Sequence, residues 1–274
     1  MKNVAFGQYY PADSLIHRLD PRAKVILAVL YIVCTFLCKN AAAFVLLTVS
    51  ALGLILLSRL PLRMILRSLR PILFIIAFTS VINIFMTKGE HLLTPPEWSI
   101  RIYAEGIWNA VFMILRITVL IIGTGVLLTY TTTPIALTDA LELLLAPLKK
   151  IKVPVHDFAM MMTIALRFIP TLTEETEKIM QAQKARGANF TSGSLLKRAK
   201  ALIPILIPLF VSAFNRAFEL AAAMECRCYH GDEGRTRLKV LKYRWVDMVA
   251  VLLVVLLGVS LVLLNRVGIG PNLR

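Results

Sequence analysis

The sequence predicts an all-α integral membrane protein with about five transmembrane helices and a cytoplasmic module of long amphipathic coupling helices. Three observations carry that prediction. Apolar residues make up 58 % of the chain and charged ones 17 %, with a mean hydropathy of +0.73, against roughly 45–50 % and about 25 % in soluble domains. Several apolar runs approach or reach the roughly 17–25 residues that cross a bilayer core. Lys and Arg gather between alternate runs, as they do in cytoplasmic loops.

The segment that precedes the first apolar run includes Asp13, His17, Arg18 and Asp20 and ends in Asp20-Pro21. It lacks the layout of a cleavable signal, so insertion is expected to use the first apolar run itself. That run covers 25–38 and is followed, across Lys39-Asn40, by 41–57; the two read as a tight transmembrane hairpin. Arg59, Arg63, Arg67 and Arg70 then recur every three or four residues, sharing a helix face that belongs in the cytoplasm. Residues 72–86 form a third span, a polar segment with Pro95, Pro96 and Trp98 follows, and 107–130 and 246–264 complete the set. The loop at 39–40 holds one basic residue and 88–105 two, against four in 59–70. Five spans with the N-terminus inside and the C-terminus outside satisfy the positive-inside rule.

Residues 131–245 differ in kind, since apolar blocks of about 14 residues, too short to span, are interrupted by Pro154, Pro170, Pro204 and Pro208. Long amphipathic helices at or below the membrane surface fit this pattern. The organisation is therefore 1–130 with four spans, 131–245 as the coupling module, and 246–274 with the last span. Thr133-Pro134 supplies a cap and a first-turn proline to a short helix striped by Leu137, Leu141, Leu144, Leu145 and Leu148 and ending at Lys149-Lys150. A second helix starts near Pro154. Pro170 is expected to bend it, Thr171 and Glu174 to recap its second half, and Gly187 to end it. A third, starting after residue 194, carries an apolar stripe through Leu206, Phe210, Phe214, Ala217, Ala221 and Met224. Beyond it the basic run Arg235, Arg237, Lys239, Lys242 and Arg244 anchors the cytoplasmic end of the last span.

Much catalytic chemistry is missing. No Gly-rich phosphate loop ending in Lys-Ser/Thr is present, so ATP, if used, is bound and hydrolysed by another subunit and the chain needs no cofactor. Apart from Arg116, expected to pair with a carbonyl or with an amide such as Asn83 or Asn109, the span interiors offer no proton or ion site. His17, His91, His156 and His230 are dispersed, and neither a zinc-protease nor a hydrolase motif occurs, so the chain is not read as an enzyme. Cys34 and Cys38 act as small hydrophobes; Cys226, Cys228 and His230 are too few for a metal site. Positive-inside bias explains most of the net charge of +15, with no role for nucleic acid.

Two long helices, near 154–187 and 195–229, share an ending: Ala185-Arg186-Gly187 and Cys226-Arg227-Cys228. A cation beside a helix C-terminus gains roughly 0.3–1 kcal/mol, and Gly187 suits a left-handed cap. That accounts for one arginine, not for two. Were the helices antiparallel, a rise of 1.5 Å per residue would separate their ends by up to about 50 Å, enough to reach two separate subunits.

These endings stand among Gly7-Gln-Tyr-Tyr-Pro, Ser14-Leu-Ile-His-Arg-Leu-Asp-Pro-Arg-Ala-Lys24, Thr132-Thr-Pro-Ile-Ala-Leu-Thr-Asp-Ala-Leu-Glu142, Ala165-Leu-Arg-Phe-Ile-Pro-Thr-Leu172, Ala182-Gln-Lys-Ala-Arg-Gly187 and Gly231-Asp-Glu-Gly-Arg-Thr-Arg237. In that order, over nearly the whole length, the chain resembles the transmembrane T component of energy-coupling-factor transporters, the vitamin and trace-metal importing branch of the ABC transporters. The resemblance implies a multi-pass protein of the cell membrane. It implies as partners two ABC-type ATPase subunits and a small substrate-binding membrane S component that fixes the substrate. Each arginine end, Ala185-Arg186-Gly187 and Cys226-Arg227-Cys228, would dock in a groove of one ATPase, and Phe210, Phe214 and Phe218 would pack on the partner helix or on the S component. The second ending departs from the family pattern, with Cys in place of Ala and Gly. Cys accepts a positive φ less readily than Gly, which leaves the geometry of that end open. The alternatives are an ordinary ABC permease that forms the path itself and a membrane scaffold whose basic region binds anionic lipid.

Overall fold

The computed structural model describes residues 9–87, 103–188, 190, 194–231 and 241–267. Gly7, the segment with His91, Pro95, Pro96 and Trp98, and the basic residues Arg235, Arg237 and Lys239 lie outside them. Among the described residues the regular structure is helical, with no strand. The helices are α1 (Pro21–Leu37), α2 (Ala41–Ser58), α3 (Leu62–Leu69), α4 (Leu73–Met86), α5 (Ala104–Thr124), α6 (Pro134–Leu144), α7 (Val155–Ala185), α8 (Leu195–Cys226) and α9 (Trp245–Val267). A π-helical turn, Gly125–Thr129, extends α5, and a 3-10 segment, Ala146–Ile151, follows α6. The chain divides into two compact units, Met1–Ala140 with Val240–Arg274, and Leu141–Lys239.

In the first unit α1 and α2 do not zip together as the expected hairpin; each packs along α5 and α9. Small residues decide this. A Cβ on Gly123 would collide with the Tyr31 ring, and one on Gly258 would fall 3.2 Å from the Cys34 sulfur, so α5 and α9 approach α1 as closely as backbone allows. Amides close the helix ends. Asn40 donates to the Leu264 and Asn265 carbonyls while Asn265 donates to the Leu37 carbonyl at 2.6 Å, satisfying groups that lipid cannot. Arg116 donates to the Cys38 carbonyl at 2.9 Å and lies 5.4 Å from the Phe44 ring. It has the carbonyl partner expected of it, whereas Asn83 donates to the Thr79 carbonyl.

A buried polar lock joins the start of α1 to the start of α9, at opposite ends of the sequence. Asp20 caps α1 by accepting from the Arg22 amide at 2.9 Å, and its own amide donates to Asp247 at 2.8 Å. Asp247 also accepts from the Arg244 amide at 2.7 Å. The Arg22 guanidinium forks onto Asp20, reaches the Leu241 carbonyl and lies 4.1 Å from the Tyr243 ring. Burial opposes the Asp20 charge, but side-chain and backbone hydrogen bonds from Arg22 outweigh it and hold the carboxyl below its usual pKa. Lys24, 1 % exposed, donates to the Thr131 carbonyl at 2.8 Å.

By length and composition α2, α5 with its π turn, α8 and α9 can each cross a membrane, and α3 with α4, bent by 56° at their junction, makes a fifth if counted as one broken span. Two differences from the expected spans follow. The 14 residues of α4 are short for a span without α3. α8 is the long helix expected, 32 residues through Pro204 and Pro208, but its apolar stretch, expected as blocks too short to span, is long enough to cross a membrane. At 17 residues, α1 is at the short end for a span.

α6 ends earlier than expected, at Leu144, and gives way to a 3-10 turn with Pro147 in its first two positions, where a missing N–H costs no bond. The cap of α6 is the one foreseen, with the Thr133 hydroxyl accepting from the Ala136 amide at 3.3 Å. Glu142 meets the His156 Nδ1 at 2.7 Å. α7 is a single 31-residue helix that passes through Pro170, and Thr171 begins no new helix. The Thr173 hydroxyl donates to the Ile169 carbonyl, and Thr176 to Leu172.

Candidate functional site: two arginine-bearing helix ends

α7 and α8 pack because their facing sides are complementary in size. Ala213, Ala217 and Ala221 of α8 offer a small-residue ridge to Ile164, Phe168 and Leu172 of α7, around a cavity of about 250 Å³. Leu220 and Met224 flank the ridge. The apolar stripe expected along α8 is thus divided: Ala217, Ala221 and Met224 line the cavity shared with α7, while Phe210 and Phe214, 64 % and 49 % exposed, do not. Phe218 is 69 % exposed. The three rings touch in series, with centroids 4.7 and 6.3 Å apart.

One ion pair crosses the same contact. Arg216 donates to Glu175 at 3.0 Å. A hydrogen bond with Ser212 holds the Glu175 carboxyl below its usual pKa against the opposing effect of burial, and the Arg216 charge adds to it. This pair is not legible in the sequence, where Arg216 lies off the stripe and Glu175 belongs to a run of solvated charges.

From that pair the two helices run on equally far. Arg186 lies eleven residues beyond Glu175 and Arg227 eleven beyond Arg216, an arm of about 16 Å in each case at 1.5 Å per residue. Two such arms hold the arginines within roughly 35 Å of one another, whatever the crossing angle. The separation drawn from the helix lengths alone is too large, because the helices meet well inside their ends.

The two endings share one backbone geometry. Arg186 (φ −84°, ψ 8°) and Arg227 (φ −94°, ψ 15°) occupy the C-cap positions. Gly187 follows at φ 87° and Cys228 at φ 55°. The Gly187 amide donates to the Lys184 carbonyl and the Ala188 amide to Gln183, both at 3.0 Å; the Cys228 amide donates to Glu225 at 2.8 Å and the Tyr229 amide to Met224 at 3.1 Å. Both are complete Schellman caps. Cys228 therefore takes the left-handed conformation that its side chain disfavours, and His230 Nδ1 bonds to its carbonyl at 2.8 Å.

Ala185, Arg186, Gly187, Cys226, Arg227 and Cys228 are all exposed. Neither arginine forms an ion pair with a described residue. Among the described residues no three His, Cys, Asp or Glu converge as metal ligands. The unit thus presents, on helix ends of matching backbone geometry, two guanidinium groups without an ion pair among the described residues.

The family model described as cobalt transport protein, CbiQ, matches residues 12–238. The chain is 53 % identical over 251 residues to the energy-coupling factor transporter transmembrane protein EcfT of Ruminiclostridium cellulolyticum, covering 90 % of this chain and 92 % of that one. It belongs to this family. EcfT of Clostridium kluyveri is 50 % identical over 273 residues, 98 % of this chain and 99 % of its own. EcfT of Bacillus subtilis is 46 % identical over 265 residues, covering 97 % and 99 %. The chain is thus the T component of an energy-coupling-factor transporter, a membrane protein, and both arginine ends fall within the matched stretch.

Proposed function

We propose that this chain is the non-catalytic coupling subunit of the importer: it links ATP hydrolysis by two cytoplasmic ATPases to uptake of a vitamin or other micronutrient by a separate S component. The observation that carries the reading is the duplicated ending. Two unrelated local sequences, one with Gly and one with Cys, adopt the same cap and each leave one arginine exposed at the end of an equal arm. A helix-capping role gives no reason for the match. Two similar receptors do, because a guanidinium stays charged and can fork two hydrogen bonds to a carboxylate or to carbonyls at a helix end.

In this mechanism Arg186 and Arg227 each sit in a groove of one ATPase. ATP-driven closure of the ATPase pair draws the two ends together. Pro170, Pro204 and Pro208 each leave a backbone carbonyl without its helical donor, and at these points the motion passes toward the membrane. The exposed ring series Phe210, Phe214 and Phe218 is the surface offered to the S component. The N-terminus lies in the cytoplasm and the C-terminus outside. ATP binds only to the partners.

The test is affinity purification of the full chain from its native membranes. Two ABC ATPase subunits and one small hydrophobic protein per chain are expected. Recovery of a homodimer with one ATPase per chain would mean an ordinary permease, and recovery of the chain with lipid alone would mean a scaffold; either result overturns the proposal.

A further inference from the structure

The four arginines around α3 serve orientation by their number alone, and that role asks nothing of where their side chains converge. Two of them nevertheless converge. Arg63 and Arg67, one helical turn apart, line a cavity of about 860 Å³ within the first unit, whereas Arg59 and Arg70 do not line it. Ser68, Thr129 and Tyr130 add polar groups, and Met64, Ile72 and Ile121 add an apolar wall. No described residue forms a salt bridge with either arginine. Between residues 58 and 86 there is no Asp or Glu at all.

Two irregularities of the backbone shape this cavity. The 56° bend between α3 and α4 opens it on one side, and the π turn Gly125–Thr129 forms part of the other. π turns recur at functional sites because they shift side chains out of helical register. Gly125 keeps the wall open, since a Cβ there would press on the Tyr130 ring at 3.2 Å.

We propose that this cavity binds the phosphate headgroup of an anionic phospholipid. Paired arginines with nearby hydroxyls suit a phosphodiester, which accepts several hydrogen bonds and carries one negative charge. The volume falls in the range that small-ligand sites occupy. A soluble anion gives no use to the apolar wall. A lipid does: from Ile72 the chain continues into Leu73 and Phe74, 62 % and 76 % exposed, a path on which acyl chains can lie. Basic pockets between membrane helices on the cytoplasmic side hold anionic headgroups in this manner.

The experiment measures lipid retained by the full-length chain, by native mass spectrometry after reconstitution into phosphatidylcholine nanodiscs with and without phosphatidylglycerol. The wild type is expected to retain about one phosphatidylglycerol per chain. R63Q/R67Q is expected to lose retention about tenfold or more, while R59Q/R70Q, with the same charge removed, stays within about twofold. Equal losses in the two double variants would mean diffuse surface attraction and overturn the site. No selective retention by the wild type overturns it without reliance on any variant. Displacement of phosphatidylglycerol by millimolar inorganic phosphate would assign the cavity to a soluble anion instead.

Discussion

The two units of this chain bury their side chains in opposite ways. The first packs Tyr31, Phe44, Leu27 and Leu47 to 2 % exposure or less and closes its ends with reciprocal amides and the Asp20–Asp247 lock. In the second, the described apolar residues that are buried are Val155, Ala159 and Ile205, and the helix tips and aromatic series stand open. The core of the first is held by its own contacts, whereas the second exposes the helix tips and rings that a partner would use, so substitutions in that core should cost stability and those at the exposed tips association.

Gly123→Leu puts a side chain where Tyr31 already is, and it should show the largest effect, about 3 kcal/mol of stability, read as a fall in the thermal midpoint of the detergent-solubilised chain. An unchanged midpoint would mean that α1 and α5 are not locked. Asp20→Ala removes the cap and strands Arg22, for about 2 kcal/mol. Because the folded-state pKa of Asp20 is lowered, its contribution is present above the ordinary carboxylate range and lost as pH falls through that lowered value. The difference in midpoint between wild type and Asp20→Asn should therefore shrink as the pH falls below the ordinary carboxylate range.

The second unit reverses the reasoning for glycine. A Cβ on Gly187 meets nothing within 4 Å, so Gly187→Ala is resisted only by its φ of 87°, at about 1 kcal/mol. Cys228→Gly should gain a similar or smaller amount, about 0.5–1 kcal/mol, and chemical denaturation of the two variants should move in opposite directions. The smallest effect belongs to Glu175→Gln: loss of the half-buried pair with Arg216 should change the closing of α7 on α8 by less than about fivefold, measured by spin-label distances. Acid should match it only below the ordinary carboxylate range, since the Glu175 pKa is lowered and the ionised contact persists until pH falls through the lowered value.

The spans at α2, α5 and α9, the Thr133 cap and the paired arginine endings are legible in the sequence because each depends on residues close together in it. What is not legible depends on distant partners. Asp247 reads as an isolated acid at the edge of a span until Asp20, 227 positions away, is placed beside it. Glu175 and Arg216, 41 apart, read as solvated charges on two separate helices. The hairpin expected of α1 and α2 fails because Gly123 and Gly258 admit α5 and α9, an effect of shape that no periodicity records. Pro204 and Pro208 divide the apolar run of α8 into blocks that read as too short to span, yet the helix as a whole is apolar and long enough to cross a membrane. The Cys228 cap shows local hydrogen bonding overriding residue preference.

The docking claim is tested most directly by Arg186→Glu combined with Arg227→Glu in the full chain, comparing ATPase co-purification and substrate uptake with the wild type. Each charge-assisted contact contributes about 1.5–3 kcal/mol, so loss of both should abolish recovery of the ATPases and uptake while the stability of the chain stays within about 0.5 kcal/mol of wild type. Normal recovery of both ATPases and uptake at the wild-type rate would contradict the account.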